Sequence, residues 1–559
     1  MQYALVLLLL VTILAGCSYS IEYGNLPPPC DSQIFCYGDI LEAIQLSGIF
    51  SDSKTFVDLK LKKTVPITLE AFKDISKDGL DRAEIEEFVQ THFENVEAIE
   101  QVELTDFKRN QTFLNEICNA TVQAFTRQLI EIWPELSRKV KDEVYDNPEQ
   151  YSFIPVPNHF IIPGGRFREY YYWDSYWVIE GLLISEMYDT ARQIIENFLY
   201  LVETIGFIPN GGRVYYLNRS QPPLLASMVS LYYNYTKDVA WVEKHIDVVA
   251  KELAFWLANK TTTVQTENGN YTLARYYVPY SGPRPESYAE DFETASVWTD
   301  LDQRQKTYVE LKSGAESGWD FSSRWIFDES GNANDNLSGI EASRIIPVDL
   351  NSFLCHGFRK VAELYEIIDQ NVDSNLWYGV YKSWVEAVDS VLWNSDENIW
   401  LDFDIQLKRH RRAAYPTHVT PLWAGCHSPE KDKAELVRHA YNYLTERGLL
   451  AYLGGLPTSL LNTTQQWDFP NAWPPIQHLV VYSLVGNGVQ EAEEAAHSIV
   501  KKWIDSNILG FIDSGEMYEK YDAEVPGQYG GGGEYTVQSG FGWTNGIAFK
   551  FIYDYYRCE

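Results

Sequence analysis

The sequence predicts a mainly α-helical fold, on three observations. Apolar residues recur at the helical period in segment after segment; the chain lacks the regular strand-helix alternation that a parallel sheet requires; and long loops rich in Gly, Pro, Asn and Asp separate the helical stretches. Taken in order, residues 21–150 read as helical packing leading into the main body. Within them Asp74-Ile75-Ser76-Lys77-Asp78-Gly79 opens like a calcium loop, but its twelfth position is Ile85 where a bidentate Glu is needed, so a helix start is the better reading. Ile194, Ile195, Phe198, Leu199 and Val202 make the first clear stripe, and Gly206 follows as a natural C-terminal stop. Val242, Ile246, Val249, Leu253 and Trp256 make the next, then Phe353, Leu354, Phe358, Val361 and Leu364; residues 375–393, 430–447 and 488–505 also suit amphipathic helices. No short-period repeat or low-complexity linker divides the chain, so residues 21–559 are expected to form a single domain. A toroid of helices with loops gathered over one end fits this pattern.

Of 559 residues, 45% are hydrophobic and 22% charged, ample for a core and against wholesale disorder. The net charge of -33 sets up a field that repels polyphosphates, which argues against nucleic acid or anionic lipid as partners and for a neutral substrate. Residues 1–20 carry no charged side chain, and residues 4–16 are apolar except for Thr12, the length of a signal-peptide core rather than a membrane span. Cleavage is expected near Cys17 to Ser20. Leu14-Ala15-Gly16-Cys17 also fits a bacterial lipoprotein pattern, but glycosylation sequons at Asn110, Asn119, Asn218, Asn234, Asn259, Asn270, Asn336 and Asn462 weigh against it. Without Cys17, an even set remains, Cys30, Cys36, Cys118, Cys355, Cys426 and Cys558, whose pairing in an oxidising compartment stays open. No later segment suits a membrane span and the C-terminus lacks a hydrophobic tail, so a secreted, soluble, N-glycosylated protein is expected.

Three stretches stand out for chemistry. Pro163-Gly164-Gly165-Arg166-Phe167-Arg168-Glu169 runs into Tyr170-Tyr171-Tyr172-Trp173-Asp174-Ser175-Tyr176-Trp177. The glycines allow a tight turn, Arg and Asp bind hydroxyls, and Trp173 offers a face to sugar C–H groups, although aromatic runs more often build cores. Gln465-Gln466-Trp467-Asp468-Phe469-Pro470-Asn471-Ala472-Trp473-Pro474-Pro475 alternates polar groups with indoles, and its prolines fix an irregular loop. Residues 527–542 hold four consecutive glycines, 530–533, beside Glu534; no Lys-Ser/Thr follows and Glu534 would repel phosphate, leaving a flexible loop or a wall that approaches a sugar closely.

Cleaving a glycosidic bond takes two carboxyl groups, one protonated and one ionised. Asp320 sits between Trp319 and Phe321, where burial would raise its pKa toward that of a useful acid, and Glu519 has the cation Lys520 next in sequence to help keep it ionised. HExxH, paired CxxC, GxSxG and P-loop patterns are absent, so zinc proteolysis, serine hydrolysis and nucleotide hydrolysis have no local support. Lys408-Arg409-His410-Arg411-Arg412 reads as a solvated basic loop.

Pro163-Gly164-Gly165-Arg166-Phe167-x-Glu169-x-Tyr171-x-Trp173-Asp174-x-Tyr176 and Gln466-Trp467-Asp468-x-Pro470-x-Ala472-Trp473-x-Pro475 together resemble the two signatures of the α,α-trehalase family, closely its secreted insect type. The resemblance extends to Asp52-Ser53-Lys54-Thr55-Phe56-Val57-Asp58 and to residues 530–535. It implies an (α/α)6 toroid and hydrolysis of α,α-trehalose to two glucoses with inversion; no metal or organic cofactor is implied, and no obligate protein partner is inferred. It implies Asp320 as general acid and Glu519 as general base. Sugar binding is implied for Arg166, Trp173, Asp174, Asn210, Arg219, Ser220, Gln221, Arg284, Pro285, Glu286 and Gly318, with Glu534 closing the pocket. The three arginines are expected to donate to hydroxyls while neutralising Asp174, Glu286 and the catalytic pair. Because the sequon at Asn218 overlaps this set, Asn218 is expected to be unmodified. Another inverting glycosidase on the same toroid and a catalytically silent sugar binder are the competing readings.

Overall fold

The computed structural model describes residues 23–73, 81–328 and 330–558. The signal segment with Cys17, and the calcium-like stretch Asp74-Ile75-Ser76-Lys77-Asp78-Gly79, lie outside the described residues. Twelve helices make up the main body: α1 (Ala120–Leu136), α2 (Asp174–Ile184), α3 (Tyr188–Thr204), α4 (Leu225–Thr236), α5 (Val239–Asn259), α6 (Val348–Ile367), α7 (Asn371–Val391), α8 (Thr420–Ala424), α9 (Lys433–Glu446), α10 (Pro474–Leu484), α11 (Gln490–Ser514) and α12 (Gly542–Tyr555). The even-numbered helices pack side by side as an inner ring that closes when α12 returns to α2, and the odd-numbered helices pack around it. This is an (α/α)6 toroid.

Burial explains which sequence becomes which ring. On α3 the expected stripe of Ile194, Ile195, Phe198, Leu199 and Val202 is buried, while Glu203 and Thr204 on other faces meet solvent. Every residue of α2 is buried, because an inner helix has neighbours on all sides. The expected helices over 375–393, 430–447 and 488–505 appear as α7, α9 and α11. Asn119, Asp238 and Asp432 cap α1, α5 and α9 by accepting backbone N–H groups that have no partner inside the first turn. The named strands are short and pair antiparallel in two- or three-stranded pieces, consistent with the absence of a parallel-sheet pattern.

The seam between α2 and α12 depends on small residues: a Cβ on Gly181 would lie 2.7 Å from the Gly546 Cα, and one on Gly546 would collide with the Trp177 carbonyl. The six cysteines pair as Cys30–Cys36, Cys118–Cys558 and Cys355–Cys426. The second bond ties the start of α1 to the end of α12, where the Cys118 N–H donates to the Tyr556 carbonyl. Residues 34–72 and 85–93 hold a separate apolar core, with Ile40, Leu41, Phe56, Val57, Leu61 and Phe93 buried, sealed by Tyr171, Tyr215 and Tyr216.

Long segments precede the N-termini of the inner helices: 137–173 before α2, 205–224 before α4, 368–419 with α7 before α8, 447–473 before α10, and 515–541 before α12. The segment 260–347 before α6 also carries the helix Leu301–Glu316, whose C-terminal end leads into Ser317-Gly318-Trp319-Asp320. The chemistry is built from these segments.

Candidate active site

One cavity collects residues from five of the inner-ring approaches. Arg166, Trp173, Asp174, Asn210, Arg219, Gln221, Arg284, Glu286, Gly318, Asp320, Glu519 and Glu534 all line it, so residues more than 360 positions apart meet in one wall. Ser220 and Pro285 stand behind the wall: the Ser220 N–H donates to Glu316 at 3.0 Å and its hydroxyl to the Ile208 carbonyl at 2.7 Å, while the Pro285 carbonyl accepts from Gln45 at 2.9 Å. Both hold the binding loops from outside the cavity.

The floor is indole. Trp467 stacks on Trp473 with ring centroids 4.0 Å apart and on Trp319 at 5.1 Å, and Trp173 approaches Trp467 at 5.9 Å and Trp543 at 5.7 Å. Gly318 makes this possible. Its φ is +76°, and a Cβ there would lie 2.7 Å from the Trp173 ring, so an L side chain would meet both strain and collision. The loop bearing these indoles is locked to the Asp320 loop through Asp468, which accepts from the Ser322 hydroxyl at 2.9 Å, the Ser323 N–H at 2.7 Å and hydroxyl at 2.8 Å, the Ser459 hydroxyl at 2.7 Å, and Thr463. The glycine run is a close-approach wall: a Cβ on Gly532 would collide with the Thr464 carbonyl, and one on Gly533 would lie 2.8 Å from the Gln466 side chain.

The carboxyl groups differ in their surroundings. Burial pushes Asp320 up to about 7 against the pull of Arg284, with Trp319 and Phe321 each 1% exposed on either side. Glu519 is also raised by burial, but Lys520 opposes this and both its oxygens accept hydrogen bonds, Oε1 from the Tyr535 hydroxyl at 2.8 Å and Oε2 from the Gln538 N–H at 3.4 Å. The Lys520 ammonium itself donates to Gln466 at 2.9 Å.

The arginines only partly follow expectation. Arg219 pairs with Glu286 at 2.5 Å and donates to Asn210 at 3.2 Å; against the cost of burial, Arg219 and Arg284 hold Glu286 below the ordinary carboxylate range. Arg284 is committed to Asp291 and Glu534, at 2.6 and 2.7 Å, and Arg166 to Asp52 at 2.7 Å. The guanidinium ion pairs thus go elsewhere than Asp174. Burial instead pushes Asp174 up to about 8, with Glu519 and Asp320 adding to the rise, so a proton rather than an arginine offsets its charge near neutrality.

Tyr535, Gln538 and Trp543 also belong to the site although no sequence pattern assigns them to it; the Trp543 indole N–H donates to the Glu519 carbonyl at 3.2 Å. Asp52 and Lys54 belong to the motif over 52–58, which by itself assigns them no role. Asn218 is 4% exposed, whereas the other seven sequon asparagines are exposed.

Comparison with known proteins agrees with this architecture. The Trehalase family model matches residues 48–556. Trehalase of Tenebrio molitor is 48% identical over 533 residues, covering 95% of this chain and 96% of that one, and trehalase of Homo sapiens is 44% identical over 532 residues, covering 94% and 90%. Among solved structures, neutral trehalase from Saccharomyces cerevisiae superposes with a TM-score of 0.57 at 24% identity, covering 70% of this chain and 73% of that one, a likeness of fold. With the family matched across nearly its whole length, the chain belongs to the Trehalase family of glycoside hydrolases.

Proposed function

We propose that the chain hydrolyses α,α-trehalose to two glucoses with inversion, Asp320 protonating the leaving oxygen and Glu519 activating the water. The observation that carries this reading is the pair of carboxyl groups in one cavity with unlike partners: Asp320 at about 7 can hold a proton near neutrality, while Glu519, though burial raises it too, has Lys520 beside it and receives two hydrogen bonds that favour its ionised form. Two further polar atoms support a neutral polyol as ligand. Arg219 Nη1 and Glu286 Oε2 are buried without a protein partner among the described residues, a donor and an acceptor for sugar hydroxyls, and the indoles supply the apolar faces. Three disulfides and seven exposed sequons likewise support export through an oxidising, glycosylating compartment. Among the described residues no helix is long and apolar enough to cross a membrane.

Proton NMR of the first minutes of turnover tests the reaction: inversion yields α- and β-glucose in equal initial amounts, and retention yields α-glucose alone. Asp320→Asn and Glu519→Gln should each lower kcat on the order of 10³-fold. Wild-type turnover by either removes its assigned role, and turnover of maltose in place of trehalose moves the chain to another glycosidase specificity.

A further inference from the structure

We propose that Asp52 is a positioning residue of the site: from the separately cored N-terminal segment it holds the Arg166 guanidinium in the cavity wall, which makes that segment a working part of the active site. This rests on the reading of the cavity as the place where trehalose is hydrolysed. Asp52 Oδ2 accepts from Arg166 Nε at 3.0 Å and Oδ1 from Nη2 at 2.7 Å, the two-pronged geometry that fixes a guanidinium plane as well as its position. The carboxylate is itself fixed, since Oδ1 also accepts the Lys54 N–H at 2.9 Å as the N-cap of the short helix Ser53–Val57.

The same segment grips the site at other points. Lys54 lines the cavity and pairs with the fully buried Glu169 at 2.8 Å; Gln45 donates to the Pro285 carbonyl; and the Ser53 hydroxyl donates to Glu290 at 2.8 Å. Arg166 in turn lies over the Tyr535 ring, 4.7 Å from its centroid, and its backbone N–H donates to the Gln538 side chain at 2.7 Å. Tyr535 and Gln538 are the two donors to the Glu519 carboxylate. A displaced Arg166 therefore disturbs both the sugar contact and the setting of the general base.

Asp52→Asn isolates this role. Asparagine still caps the helix, but its amide N–H₂ replaces one acceptor facing a guanidinium that can only donate. The variant should melt like the parent and lose about tenfold or more in kcat/KM for trehalose. In an Arg166→Ala background the same change should cost less than about twofold, because its effect runs through Arg166. Near-parental kcat/KM in Asp52→Asn, or an equal loss with Arg166 absent, overturns the proposal while leaving the assigned reaction standing; a parent protein inert toward trehalose overturns both.

Discussion

Asp320 and Glu519 show what a residue's sequence neighbours disclose and what they conceal. Trp319 and Phe321 announce the apolar surroundings of the half-buried Asp320, and desolvation there is what raises it to about 7. Lys520 announces less about Glu519: it does oppose the rise, yet its ammonium bonds to Gln466, and the groups that grip Glu519 are Tyr535 and Gln538, 16 and 19 positions downstream. That distance is bridged only by the folding of the segment before α12, so no local pattern could have supplied it. The contrast makes a pH prediction. A general acid works only while protonated, so kcat/KM should fall as the pH rises through about 7, tenfold per unit beyond it, as Asp320 loses its proton. Arg284 and Arg219 favour its ionisation, Glu534 opposes it, and Asp174 and Lys520 are close enough to feel its charge. A pH profile of kcat/KM that stays flat to pH 9 would contradict the acid assignment.

Elements were legible in proportion to how one-sided their burial is. Outer helices such as α3, α5, α7, α9 and α11 bury one stripe, so the helical period is written into the sequence. Inner helices α2, α10 and α12 are buried on nearly every side, which erases the polar face and with it the periodic signal; they are marked instead by the motifs that precede them. The order of the rings and the closing contact of α12 on α2 are relations between distant segments that periodicity does not carry; the resemblance implies the toroid without them. Among the loops, the one over 463–473 has Asp468 as its most heavily bonded anchor, beside the Trp467 N–H on the Phe321 carbonyl. Asp468 satisfies donors from Ser322, Ser323, Ser459 and Thr463, so Asp468→Ala would leave several buried groups unpaired at once. We expect a loss on the order of 3 kcal/mol, read as a clear fall in thermal midpoint, together with lost activity because Trp467 and Asp320 share this anchor. A variant that melts and turns over like the parent would show that the loop is held elsewhere.

At the scale of the whole molecule the question is what keeps the ring closed around the site. The inner ring is complete only where α12 meets α2, and the two helices bring Trp543 and Asp174 to the cavity from their N-terminal ends. Their approach is set by Gly181 and Gly546, whose missing side chains let backbone meet backbone. Gly546→Ala puts two effects in competition. Helix propensity alone favours alanine by about 1 kcal/mol. Against that, the new methyl would collide with the Trp177 carbonyl, a backbone atom that moves only if the helices part, and overpacking of this kind costs about 1–3 kcal/mol or more. The collision should win, lowering the thermal midpoint and, because parting the seam shifts Asp174 and Trp543, lowering kcat as well. Gly379 on the outer helix α7 is the matched control: it is exposed and has open space where a Cβ would go, so Gly379→Ala should raise the midpoint through propensity alone. If both substitutions stabilised the protein, the glycine seam would not be what closes the toroid, and the Cys118–Cys558 bond would be the next closure to test.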